Sequence, residues 1–116
     1  MTDTNNTTLP QFDNDATKSP DHPLPGEIAV LVTTVHRGVF FGYAKDIDGA
    51  TINLRRARNC VYWHQSVKGF LGLCSTGPNS ECRVGPPANM TLYDITCVAQ
   101  VEPEAVKQWE ANHWAA

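Results

Sequence analysis

Large apolar side chains are nearly missing from residues 1–26, where only Leu9, Phe12 and Leu24 follow the initial Met, and they become dense from residue 27 onward. Residues 27–35 (EIAVLVTTV) are rich in β-branched side chains and lie between Pro25-Gly26 and His36-Arg37-Gly38. That composition, bracketed by turn formers, predicts a strand ending in a tight turn. Residues 39–46 (VFFGYAKD) predict its hairpin partner. Gly42 inside that run predicts a bulge or sharp bend, because glycine weakens a strand interior. Asp48-Gly49 is a strong turn signal. Residues 50–54 then alternate, with Ile52 and Leu54 on one face and Thr51 and Asn53 on the other, the period of a half-buried strand. Cys60-Val61-Tyr62-Trp63 predicts a fourth strand.

Residues 68–75 (KGFLGLCS) predict a short helix with Phe70, Leu71 and Cys74 on one face, ended by Gly77-Pro78. Residues 79–89 contain Gly85-Pro86-Pro87 and read as a loop of a length often associated with function. Residues 91–101 (TLYDITCVAQV) predict the last strand. Its core candidates Leu92, Ile95, Val98 and Val101 depart from a period of two, so a bulge or bend is expected there. Pro103 suits the first turn of a C-terminal helix, with Glu102 and Glu104 near its positive end. Val106, Trp109, Glu110 and His113 follow at helical spacing, and docking through Trp109 and Trp114 would hold so short a helix. The fold class is therefore mainly β with minor α. The architecture is a small five-stranded barrel of the SH3 or Sm-like kind, or a bent antiparallel sheet, with a short helix inserted before the last strand and a C-terminal helix.

Composition divides the chain at the same place as the apolar pattern. Residues 1–26 carry four prolines, and Asp3, Asp13, Asp15 and Asp21 against Lys18, so the whole formal charge of −3 sits there. Such a segment buries too little apolar surface to offset its ordering entropy, and a flexible acidic Pro-rich arm is expected. Residues 27–116 form one β-rich domain with eight acidic and eight basic residues. A neutral domain lacks the basic field of a generic nucleic-acid binder. With no apolar run of membrane-spanning length and no signal-peptide pattern, no membrane association is expected, and a soluble protein that is not secreted follows. Cys60, Cys74, Cys82 and Cys97 match no zinc spacing, and without an export signal they read as reduced structural thiols. No cofactor is called for.

The chemistry most open to a ligand lies in Arg55, Arg56 and Arg58 beside Asn59, Tyr62 and Trp63. Guanidinium forks match phosphate and carboxylate geometry, and a neighbouring aromatic can stack a base. The plainer alternative is a solvated strand edge, with arginine stems covering Tyr62 or Trp63 and pairing with Asp46, Asp48 or Glu81. Arg83 in the long loop, and His36 and Arg37 in the first turn, join the candidate ligand-binding set. His64 with Cys74 or Cys82 would make a nucleophile pair only in a geometry that sequence does not specify. The Thr76-Gly77-Pro78 loop lacks the Gly-Lys-Ser/Thr of a phosphate loop.

Arg58-Asn59-Cys60-Val61-Tyr62-Trp63, Gly69-Phe70-Leu71-Gly72-Leu73, Thr76-Gly77-Pro78 and Cys82-Arg83-Val84-Gly85-Pro86 together resemble a family of uncharacterised small phage and prophage domains, over about residues 27–114. The resemblance implies a phage or prophage origin, with the cytoplasm of the bacterial host or else the virion as its location, and carries no activity or functional residues with it. In size and strand content the chain is similar to small phage proteins that act as oligomeric sponges for nucleotide signals of bacterial immunity. A non-enzymatic binding module, forming a homo-oligomer and taking a nucleotide-like small molecule, is the expectation. A virion or assembly protein using its arm for subunit contacts is one alternative, and an Sm-like RNA-binding ring is another.

Overall fold

The computed structural model describes residues 16–112. The expectations for residues 1–15, and for His113 and Trp114, lie outside them. Six strands and two helices follow one another: β1 (Ile28–Thr34), β2 (Val39–Ala44), β3 (Ile52–Tyr62), α1 (Gly69–Ser75), β4 (Arg83–Val84), β5 (Ala88–Leu92), β6 (Ile95–Gln100) and α2 (Pro103–Ala111). All pairings are antiparallel. The sheet order is β4-β3-β2-β1-β6, and β5 also pairs with β3. Among the described residues no ladder joins β6 back to β4 or β5, so the sheet is bent but unclosed. The mainly β class with two short helices is the one expected. Of the two architectures considered, the open sheet forms and the closed barrel does not.

The bend has a local origin. Gly42 stands where the β2–β3 register shifts, between Phe41 and Tyr43. A Cβ at Gly42 would lie 3.0 Å from the Leu54 Cβ, so the close approach of β3 favours glycine there. Arg56 adopts φ 54°, in the left-handed region, and the β3–β5 register shifts across it, between Leu54 and Ala57. The stretch expected as two strands separated by the arginines is thus one eleven-residue strand with a kink. Its first half pairs with β5 and its end with β4. The expected loop at 79–89 holds β4 and the start of β5, both too short and too polar to announce themselves by periodicity. The expected last strand breaks at Tyr93-Asp94, where Asp94 takes φ 56°, giving β5 and β6.

Alternation in β1 builds two cores. Ala29 and Leu31 face the helices, where they join Phe41, Leu73, Val106 and Trp109. Val30 and Val32 face the inside of the bend, with Ile52, Leu54 and Leu92. Trp109 is fully buried, stacks on Phe41 with centroids 5.1 Å apart, and donates its indole N–H to Leu73 O at 3.0 Å. α2 opens on Pro103, as the sequence predicts. α1 differs in its facing. Leu73 and Cys74 point inward while Leu71 is 74% exposed. The helix starts only at Gly69, after Lys68 turns the chain in the left-handed region, and this sets its rotation.

Cys60, Cys74 and Cys82 are buried free thiols, whereas Cys97, expected inside, is exposed on β6. Burial, with Cys82 nearby, pushes the Cys60 thiol up to about 12, and burial also raises Cys74. The reactive species is the thiolate. Native protein treated with iodoacetamide is therefore expected to take one label rapidly, at Cys97, and the other three only after denaturation. Peptide mass spectrometry reads the sites, and rapid native labelling of Cys60 would contradict this packing.

Candidate functional site

The kink in β3 decides what its arginines do. Strict alternation would send Arg55 and Arg56 to opposite faces. The bulge brings both to the segment before β1: Arg55 Nη1 donates to Ser19 Oγ and Arg56 Nη1 to Ser19 O. The left-handed turn at Arg56 leaves its backbone N–H to Asn89 Oδ1, at 3.0 Å.

Arg55 meets Glu27 side-on, with Nε at 3.1 and 3.0 Å from the two carboxylate oxygens and Nη2 at 2.9 Å. Its remaining donors take Pro20 O and His22 O, and its guanidinium sits 4.8 Å from the Tyr43 ring centroid. Burial pushes the Glu27 carboxyl up, but the Arg55 bonds and charge, with the Leu24 N–H, outweigh it and hold the group below its usual value. Arg56 forms a two-point pair with Glu110, at 2.6 and 3.0 Å, and Nη1 also donates to Ala16 O at 2.6 Å. Tyr43 OH donates to the same carboxylate at 2.7 Å, and burial with this acceptor drives its pKa well up.

Among the described residues, Arg58 has no carboxylate partner in its hydrogen bonds. It donates to Gly85 O at 2.8 Å and to Trp109 O, Glu110 O and Asn112 O at 2.6, 3.4 and 2.7 Å. Three of these are carbonyls at the C-terminal end of α2, where intrahelical bonding runs out, Trp109 O having besides only the Asn112 N–H at 3.4 Å, and where positive charge is favourable. Arg58 therefore caps a helix from a neighbouring strand. It is 4% exposed, and burial lowers its pKa.

The guanidinium donors of the three arginines are thus engaged with the protein's own oxygens. Arg55 pairs with Glu27 and Arg56 with Glu110, and Arg58 bonds backbone carbonyls, in place of Asp46, Asp48 or Glu81. The segment 16–22, expected as part of a free arm, lies along β3 with Ala16 buried. The other candidates lie elsewhere. Asn59 is half-buried in the β2–β3 ladder, and its carbonyl accepts from Gly85 N. Tyr62 is exposed opposite Arg83 of β4, and Trp63 packs on the helix-side core. His36 and Arg37 form the β1–β2 turn, where Arg37 has φ 65° and His36 Nε2 lies 3.6 Å from Asp94 Oδ2. The candidate set does not converge on one site. His64 Nδ1 caps the short turn that follows it through Ser66 N, so its ring has a structural task, and the thiols of Cys74 and Cys82 are buried. Among the described residues no group of three or more His, Cys, Asp or Glu is placed to hold a metal.

One concave feature escaped the sequence reading. A groove of about 680 Å³ runs between α2, the lower ends of β1 and β6, and residues 21–23. Pro23, Ile28, Ala29, Val101 and Val106 make it apolar; Asp21, His22, Gln100 and Lys107 add polar groups, and Glu27 and Glu110 also line it. Its volume lies in the range of small-molecule sites, which combine apolar walls with a few placed polar groups. The walls come from segments up to about ninety residues apart, so no local motif announces it. A smaller cleft of about 390 Å³ lies on the other side of Glu27, between Tyr43, Lys45, Asn53 and Arg55.

Residues 27–109 match the family model described as Domain of unknown function (DUF6948). No curated protein and no solved structure matches the chain.

Proposed function

We propose that this chain, which belongs to the DUF6948 family, is a non-enzymatic binding module that takes its ligand in the groove beside α2. The supporting observation is the groove itself, the largest of the described concavities and apolar over most of its wall. A nucleotide sponge would need phosphate contacts other than Arg55, Arg56 and Arg58, whose guanidinium donors are engaged with the protein's own oxygens. The resemblance of the Arg58–Trp63 and Cys82–Pro86 stretches to phage and prophage domains supports a phage setting, with the host cytoplasm as the place of action.

Protein purified from bacterial lysate, weighed natively and then denatured, should release a bound small molecule if the host supplies it. Independently, an environment-sensitive apolar dye is expected to bind the native protein. Ile28→Arg should weaken that binding at least about tenfold, because a charge would be desolvated inside an apolar groove. Ile28 is 37% exposed, so the substitution should leave the unfolding midpoint nearly unchanged. Equal dye affinity in the variant would remove the groove from consideration. The same native mass tests assembly: an oligomer that falls apart when residues 1–15 are deleted would assign the arm to a subunit contact instead.

A further inference from the structure

We infer that the groove selects an uncharged, largely apolar molecule carrying a hydrogen-bond donor, such as an alcohol or amide N–H, and rejects phosphorylated ligands. This rests on the groove reading above and adds the ligand's chemistry. Glu110 and Glu27 line the groove, with side chains 6% and 5% exposed. Among the described residues, Glu110 Oε1 accepts one hydrogen bond, from Arg56 Nη2, and Glu27 Oε2 accepts one, from Arg55 Nε. A carboxylate oxygen has room for two. Each therefore retains acceptor capacity in a largely apolar setting.

The donors around the groove are engaged differently. The guanidiniums of Arg55 and Arg56 are bonded to Glu27, Glu110 and the backbone and hydroxyl oxygens of residues 16–22. Lys107 Nζ lies 3.4 Å from Glu104 Oε1, and His22 Nδ1 lies 3.2 Å from Pro23 O. A phosphate entering here would be desolvated against carboxylates, Asp21 among them, with no set of guanidinium donors turned toward it. A cation gains little either, because Arg55 and Arg56 are paired with the two carboxylates and cancel most of their field. An uncharged donor is the remaining complement. Hydrogen bonds to a charged acceptor are among the stronger ones, so a donor should improve affinity by about tenfold or more.

Three probes of matched length separate the terms: 1-octanol, heptyl methyl ether, which accepts but does not donate, and octyl phosphate. Binding to the full chain is measured by calorimetry or by displacement of the apolar dye. The expected order is octanol first, the ether about tenfold weaker, and no saturable binding of octyl phosphate. All binding should be lost in Ile28→Arg and in Ala111→Trp, which fills the groove from an exposed position on α2. Equal affinity for octanol and ether, or tighter binding of the phosphate, would overturn the donor inference and leave the groove reading standing. Binding of none of the three would overturn both.

Discussion

Arg58→Ala is expected to remove about 3–4 kcal/mol of folding stability, because the arginine closes the end of α2 from within the structure. Truncation takes the guanidinium donors from the carbonyls of Gly85, Trp109 and Asn112, of which Trp109 O keeps the Asn112 N–H at 3.4 Å, and opens a cavity beside them. Each buried acceptor left unpaired costs about 1–3 kcal/mol. Domains of this size have about 5–15 kcal/mol in all, so the variant loses a large part of its stability. Urea denaturation followed by tryptophan fluorescence checks it, as a lower midpoint with an unchanged slope. Arg58→Lys should rescue little, because one ammonium cannot reproduce a planar fork that serves carbonyls on two sides. An unchanged midpoint in Arg58→Ala would mean that this side chain is not the cap described here. It would also reopen the reading of Arg58 as a ligand contact.

The second large effect belongs to Arg56 and Glu110. Both side chains are more than nine-tenths buried, so removing one partner strands the other's charge, at a cost of about 3–5 kcal/mol. Glu110→Leu also strands the Tyr43 hydroxyl, and Arg56→Met leaves Ala16 O with the Ser19 N–H but without the guanidinium donor. The combination Arg56→Met, Glu110→Leu, Tyr43→Phe should recover much of the loss, since an apolar replacement of a whole buried pair is often near neutral. Double-mutant cycles on these positions are expected to give a coupling of about 2 kcal/mol or more. Because the pair is shielded from solvent, the coupling should persist at high salt, where a surface pair would fade. Additive single effects would show that the ion pair is incidental to the fold.

Both predictions rest on partners that the arginine cluster does not announce when the sequence is read by itself. Three guanidiniums in four residues beside two aromatics have the composition of an anion site. Whether they serve a ligand or the protein depends on which oxygens stand opposite. Those oxygens come from Glu27, 28 residues from Arg55, and from Glu110, 54 residues from Arg56, so local spacing carries no trace of them.

Short-range physics did determine much of this protein. A β-branched run gives β1 and an aromatic-rich run β2, His36-Arg37-Gly38 the turn between them, Gly42 the bend, and Pro103 the start of α2. Those features depend on backbone preference and side-chain period over a few residues. The tertiary structure alone decided the rest. β4 and β5 exist because the kinked β3 offers them backbone partners, not because their own residues demand extension. The rotation of α1, the exposure of Cys97 and the groove depend on how separate segments pack. The arginines are internal because a buried cation persists only where remote carboxylates and carbonyls surround it, and folding is what assembles those oxygens.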